Sequence, residues 1–374
     1  MNMNLTRSRW FTAYLMAGLF SGIAGSIYFT YSRVYLRDSL GENSNYVIGL
    51  LISFEQIPQF LGIVGGFLAD YIGRRKLYSI SLFNPIFFII IPFINPVLFP
   101  YIILVNSLIG SISGPAVSGA ILAALNRSGK LYSIYVMAPT IGWIIGGIIP
   151  GLTRELIGST GLFISIALLS YLSTILYFVF FPGFDFEKPR LSEIPIVFSK
   201  TWNIVLANTV VNGGLGIFWT LIGLEIYSET QNLLLYGLLL SSATALAGAV
   251  VRPLSGILVD RYEPINIIKF TLIAYIIIDT AILFTRGLPR IALWIIPIYP
   301  FRDTATTISI SRRVSLKLQS TSAGLNMTMT SLSGLIVLSI ISFTRGNIVY
   351  VYYIHIILLI LGLILLLHDK LKMF

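Results

Sequence analysis

"FRDTATT", residues 301 to 307, sets Arg302 beside Asp303 in a stretch flanked by apolar residues. Arg302 follows Arg290 by roughly 18 Å of helix at about 1.5 Å per residue, so in an apolar layer about 30 Å thick both charges fall near the middle. A charge at that depth costs roughly 3 kcal/mol or more, and chains keep one where it faces a cavity, moves a proton or pairs. Neighbouring helix positions point in different directions, so at least one of the two needs a partner on another helix. Glu55, in "SFEQIPQ" (residues 53 to 59), is a second intramembrane charge, and a desolvated carboxylate there can load and release a proton. Asp279 is a third, read as structural, with either it or Asp303 as the partner of Arg302.

The depth assumed for these charges comes from composition. Of 374 residues, 56% are hydrophobic and 11% charged, and the mean hydropathy is +0.87, as in chains whose solvent is lipid. Windows of roughly 20 apolar residues give about twelve spans. They are Trp10 to Tyr31, Tyr46 to Ala69, Leu77 to Ile94, Val97 to Leu125, Leu131 to Gly151 and Leu162 to Phe181, then Trp202 to Leu224, Leu233 to Val259, Ile265 to Phe284, Ile291 to Ser311, Thr321 to Phe343 and Val349 to Leu367. "GFDFEKPRLSEIPIVFSK", residues 183 to 200, is the longest polar stretch and divides six spans from six. The expected domains are therefore 1–182 and 201–374, joined by a cytoplasmic linker over 183–200.

With spans alternating from a cytoplasmic N-terminus, most of the 25 basic residues fall on that side, among them Arg74, Arg75, Lys76, Arg312, Arg313 and Lys317. Both termini are expected in the cytoplasm, in a cell membrane. The net charge of +10 then reads as topology and lipid-headgroup attraction, and no nucleic-acid partner is expected. Arg7 and Arg9 precede an apolar run too long for a signal peptide and without a small-residue cleavage site, so it reads as a retained helix. With no cysteine and two histidines, His355 and His368, neither disulfides nor a transition-metal site are expected, and no cofactor.

The second span ends in "GGFLADYIGRRK", residues 65 to 76, and the eighth in "SGILVDRY", residues 255 to 262. Gly66, Leu68 and Asp70 align with Gly256, Leu258 and Asp260 at one constant offset of about half the chain, which marks an internal duplication. Two matching six-helix halves are a common plan of secondary transporters, with the substrate site between them near the midplane.

The stretch 66 to 75, "GFLADYIGRR", resembles the loop between the second and third helices of the major facilitator superfamily. Gly66, Asp70, Gly73, Arg74 and Arg75 match, with Tyr71 at a position usually basic; the copy keeps Gly256, Asp260 and Arg261 but has Glu263 for the later glycine. The resemblance covers the chain and implies an all-α integral membrane protein of about 12 transmembrane helices in two pseudo-symmetric six-helix bundles. It further implies that Asp70 docks on the start of the eleventh helix at "STSAG" (320 to 324), that Asp260 mirrors this at the fifth, and that Gly66 lets the helices touch. The arginines, with Arg127 closing the fourth helix, would complete a latch on one access state.

The same resemblance puts the first, fourth, seventh and tenth helices around the cavity. Arg302 could then face substrate, with Asn106 near its repeat position and Asn208, Asn212, Trp219, Tyr28 and Tyr31 adding polar and aromatic surface. "GWIIGG" (142 to 147) is similar to the family's proton-exchanging exporter motif, with Trp143 for its proline, although Gly142, Gly146 and Gly147 also suit plain helix packing. Arg252, one turn before Gly256, either pairs with Asp260 or reaches the interface. Pro58, Pro115, Pro139, Pro297 and Pro300 are read as lying inside helices. His355 is read as facing a neighbouring helix or the lipid interface.

The leading expectation is a monomeric transporter, not an enzyme, that exports a small organic molecule in exchange for protons, with Glu55, Arg302, Asp303, Asn106 and Asn212 as coupling residues. The alternative is uptake of an anionic metabolite held by Arg302. No nucleophile with a paired base accompanies either.

Overall fold

The computed structural model describes residues 9–41, 44–183, 188–230, 233–344 and 347–367. Arg7, residues 184–187 of the linker and the residues after Leu367 lie outside them. The described elements are helical, and no strand occurs among them.

The rods are numbered α1 to α12 here. α1 is Arg9–Leu40, and α2 runs Ser44–Gln56, through a 3₁₀ turn Ile57–Leu61 at Pro58, into Gly62–Ile72. α3 is Arg74–Phe93 and α4 Phe99–Ala124. α5 and α6 are residues 129–157 and 159–179 of the run Gly129–Val179. α7 is Ile194–Thr230, and α8 is Leu233–Gly237, a π turn Leu238–Ala243 and Thr244–Arg261. α9 is Pro264–Phe284, α10 is Leu288–Ile295 and Tyr299–Arg312, α11 is Gln319–Thr344 and α12 is Ile348–Leu367.

Among the described residues, eight segments are long and apolar enough to cross a membrane, Gly129–Val179 among them. That run has 51 residues, about 76 Å of helix, more than twice the apolar thickness. It bends at Gly158, whose φ of 65° favours glycine. The run then turns back along α1: Tyr31 meets Ser159, while Tyr14 packs edge-on against Tyr177.

Three expectations need correcting. The stretch 183–200 is not all linker, because a 3₁₀ turn forms over Leu191–Glu193 and α7 begins at Ile194. The tenth span is two helices, with Pro297 in the break between Ile295 and Tyr299; a proline there removes an N–H and clashes with the preceding turn. Pro300 opens the second piece, where the first amides lack helical partners anyway.

Three buried cores lie each within one half: Ala24, Leu51, Phe99 and Phe163; Phe11, Tyr14, Ala116 and Tyr177; and Phe218, Ile282, Trp294 and Val351. A further core crosses between them, where Leu122 packs with Val205, Val259 and Ile308. The outer faces carry many large exposed apolar side chains, such as Leu156 at 83%, Phe284 at 79% and Phe270 at 71%, more than a water-covered surface usually carries. Lipid covers such a face at no cost, and its absence of water explains why nearly all backbone is helical.

Candidate functional site

At the basic end of the molecule, the carboxylates of the two repeats sit on helix starts from the opposite half. Asp70 accepts from Ser320 N (3.3 Å), Thr321 N (2.7 Å) and the Thr321 hydroxyl (2.8 Å). Asp260 accepts from Gly129 N (2.8 Å), Lys130 N (2.9 Å) and the Ser128 hydroxyl (3.1 Å). The first amides of a helix have no partners of their own and carry its positive dipole end, so a carboxylate is favoured there twice over.

Close approach is what brings them together. A β-carbon on Gly66 would stand 2.8 Å from the carbonyl carbon of Ser320, and one on Gly256 2.8 Å from Cα of Lys130. Gly73, at φ 111°, makes the turn from α2 into α3, which places Arg74 to donate to both Asp70 and the Leu316 carbonyl, each at 2.9 Å.

The other basic residues take partners that the resemblance had left open. Arg75 lies over the Phe178 ring within its own half, and Arg261 over Tyr262. Arg127 exchanges backbone-directed hydrogen bonds with Arg312, at 3.4 Å each way, across the two halves. Arg312 itself pairs with Asp260 at 2.5 Å. Its basic character alone had marked it for topology, and its second role could have been found only from its place at the end of the repeat partner of α4.

Above this seal lies a cavity of about 260 Å³ between the halves, lined by α4, α5, α10 and α11. Ser118, Tyr132, Tyr135, Thr307, Ser311, Ser322 and Asn326 give it hydroxyl and amide surface, and among the described residues Asp303 is its only charged lining residue. Asp303 is 44% exposed and pairs at 2.8 Å with Arg252, which is 6% exposed. Arg252 also donates to Thr140 on α5 at 3.2 Å and lies over Tyr299. One guanidinium therefore ties α8 to α10 and to the other half. Of the two alternatives for Arg252, neither forms: Asp260 is taken by the start of α5, and the guanidinium is buried against Asp303.

Arg302 points away from this cavity. Its guanidinium lies over the Tyr275 ring on α9, and its Nε and Nη1 are buried without a hydrogen-bond partner. It lines a recess of about 10 Å³ with Asn208 and Thr306, room for about one water molecule. The expected Arg302–Asp279 pair is also absent: Asp279 pairs with His355 at 2.8 Å.

Glu55 is held by Arg33 at 2.5 Å and by the Tyr28 hydroxyl at 2.6 Å, near the opposite end. Asn106 is half-buried with Oδ1 unpartnered, Asn212 is half-buried on α7, and Asn208 donates to Asn326 at 3.3 Å. Trp219 packs on Trp294 and Tyr275 in the core, and Tyr31 is buried against Ser159. Gly142 and Gly146 fit against α1, where β-carbons would stand 2.7 Å from Ile23 N and from Ser26 Cβ, and Gly147 receives Gly237 of α8. Close packing accounts for all three.

Two helical halves, a polar cavity between them and a seal at one end define a secondary transporter of the alternating-access class. A sequence model of the Major Facilitator Superfamily matches residues 11–338, and the chain belongs to that family. No curated protein matches it in sequence. Among solved structures, it is similar to the human organic anion transporter MFSD10 (TETRAN), with 16% identity, TM-score 0.72 and coverage of 96% of this chain and 99% of that one. It is similar to the transporter FucP in the outward conformation, at 12% identity, TM-score 0.73, and 97% and 99% coverage. A bacterial homologue of the iron transporter ferroportin, outward-facing with soaked iron, gives 15%, 0.74, and 96% and 99%. At these identities the likeness is one of fold.

Proposed function

We propose that the chain exchanges protons for a small organic molecule bearing a cationic or hydrogen-bond-donating group, and exports it through the cavity below Asp303. The observation that carries this reading is the position of Asp303 as the one charge on the cavity wall, with Arg252 behind it. A proton on Asp303 would cancel its hold on Arg252, and with it the strut from Arg252 to Thr140 of the other half. A cationic substrate competes for the same oxygens, so proton and substrate exclude one another, as exchange requires.

The halves, 1–182 and 201–374, would rock about this site, with Asp70 and Asp260 holding the basic end shut between turns. The basic end is assigned to the cytoplasm of a cell membrane by the excess of positive charge there. Uptake of an anion remains the second reading, favoured by the unpartnered Nε and Nη1 of Arg302.

The test is a ligand panel of amines, polyols and carboxylates against the purified protein, read as thermal stabilisation, followed by proton-driven efflux in vesicles. Binding to the folded state raises its stability by mass action. Amines that stabilise wild type but not Asp303→Asn, with efflux lost in that variant, are the expected result. Stabilisation by carboxylates, lost in Arg302→Ala and kept in Asp303→Asn, would replace export with the anion reading.

A further inference from the structure

Away from the cavity, α7, α9 and α12 enclose a carboxyl and an imidazole. His355 Nε2 and Asp279 Oδ2 are 2.8 Å apart, and both side chains are 0% exposed. The imidazole is stacked on Phe218 with ring centroids 4.8 Å apart and planes 2° from parallel. Its other nitrogen, Nδ1, abuts α7 at Gly214, where a β-carbon would stand 2.9 Å away. Neither Nδ1 nor Asp279 Oδ1 has a hydrogen-bond partner.

The groups facing this pair come from four helices. Phe218 and Trp219 face it from α7, the Trp219 indole turned toward the carboxyl without reaching hydrogen-bond geometry. Tyr275 stands one turn before Asp279 on α9, and Arg302 of α10 lies beyond that ring. Tyr352, on α12 itself, bonds Thr280. Asp303 of α10 also acts on the Tyr275 ring, and Glu225 and Arg290 pair with each other. Among the described residues, no cation other than the imidazole touches Asp279.

With a neutral imidazole the pair carries one negative charge out of reach of water, and a single neutral N–H is its only hydrogen bond. An uncompensated buried charge is the costly case, whereas a charge-neutral, hydrogen-bonded pair is tolerated. One added proton makes that change, and the two groups share it as a single coupled site.

We propose that Asp279 and His355 form a proton-binding site of the C-terminal half, separate from the cavity, whose bound proton holds α9, α12 and α7 together. Release of the proton, as the surroundings become alkaline, leaves the carboxylate unbalanced and loosens this part of the bundle. The reading needs no substrate and no transport, and so stands or falls apart from the role given to Asp303.

The sequence has two histidines, His355 and His368, so His368→Asn leaves His355 as the sole imidazole. Nitrogen-15 spectra of histidine-labelled protein in lipid nanodiscs would follow it from about pH 5 to 9, around the ordinary histidine range. The expected result is one change in the protonation of the pair within this range, seen on the imidazole nitrogens or through the carboxyl bonded to them, with thermal stability falling on the alkaline side over the same interval. In Asp279→Asn that transition should be displaced by one pH unit or more, a tenfold change in proton affinity. Nitrogen-15 shifts and stability both constant across the range in the His368→Asn protein overturn the proposal, and so does a transition unchanged by Asp279→Asn. Should Asp279→Asn not fold, the titration of the His368→Asn protein decides alone.

Discussion

Asp303 and Arg252 differ sharply in their access to water, 44% against 6% exposed, and that asymmetry sets what each substitution does. Removing Asp303 leaves a buried guanidinium without its counter-charge, whereas removing both replaces an ion pair by apolar surface. Asp303→Leu is expected to cost about 1–3 kcal/mol, a figure lowered because water reaches the carboxylate. Arg252→Met added to it should recover most of that loss, as read by thermal unfolding in detergent; equal losses for the single and double variants would mean that the pair is not coupled. Asp303 was legible in the sequence as a charge at membrane depth, and so was its need for a partner on another helix. Which of two adjacent residues faced the cavity was not legible, because one helical step of about 100° separates them and no local pattern sets the rotation of α10 after its break at Pro297.

At the scale of elements, the seal depends on how near α2 comes to α11 and α8 to α5. Gly66→Val and Gly256→Val insert side chains where a β-carbon alone already lies 2.8 Å from a neighbouring backbone atom. Each should force the basic end apart while leaving the half that carries it folded. The chain has no cysteine, so Ala323→Cys on the cavity wall provides a single reporter thiol. It should be slow to react from the basic side in the parent and at least tenfold faster with Gly66→Val; equal rates would show that the helix contact does not close the cavity. The repeat spacing had marked these glycines, and the amide groups they bring within reach of Asp70 and Asp260 explain the spacing. The fifth-helix glycines show the reverse: their pattern looked like a functional motif, and α1 packed into Gly142 and Gly146 explains it.

For the whole molecule, the proposed function gives two carboxylate-to-helix contacts one task, holding the basic end shut, so both would act on the same equilibrium between access states. A hydrogen bond to a charged group contributes about 1.5–3 kcal/mol, so Asp70→Asn, which keeps the shape and removes the charge, should shift that equilibrium roughly tenfold. Asp260→Asn should do the same, and the two together should add in free energy, since the contacts are separate. Labelling of Ala323→Cys from each side of the membrane measures all three. A double variant no more open than either single one would mean that one contact alone controls the end.

The sequence by itself determined the solvent of this protein, and it marked Asp70 and Asp260, the repeated carboxylates that lie on helix starts of the opposite half. Those properties follow from composition and from spacing along the chain, which local physics reads without knowing the partners. Only the tertiary structure decided the pairing of charges: Arg252 with Asp303, Asp279 with His355, Arg33 with Glu55, and Arg302 with none among the described residues. In a layer without water each ion must find its partner in space, and the partner chosen depends on helix rotation and on which helices touch. A hydropathy pattern gives the length of a helix and its place in the order, but leaves that rotation open.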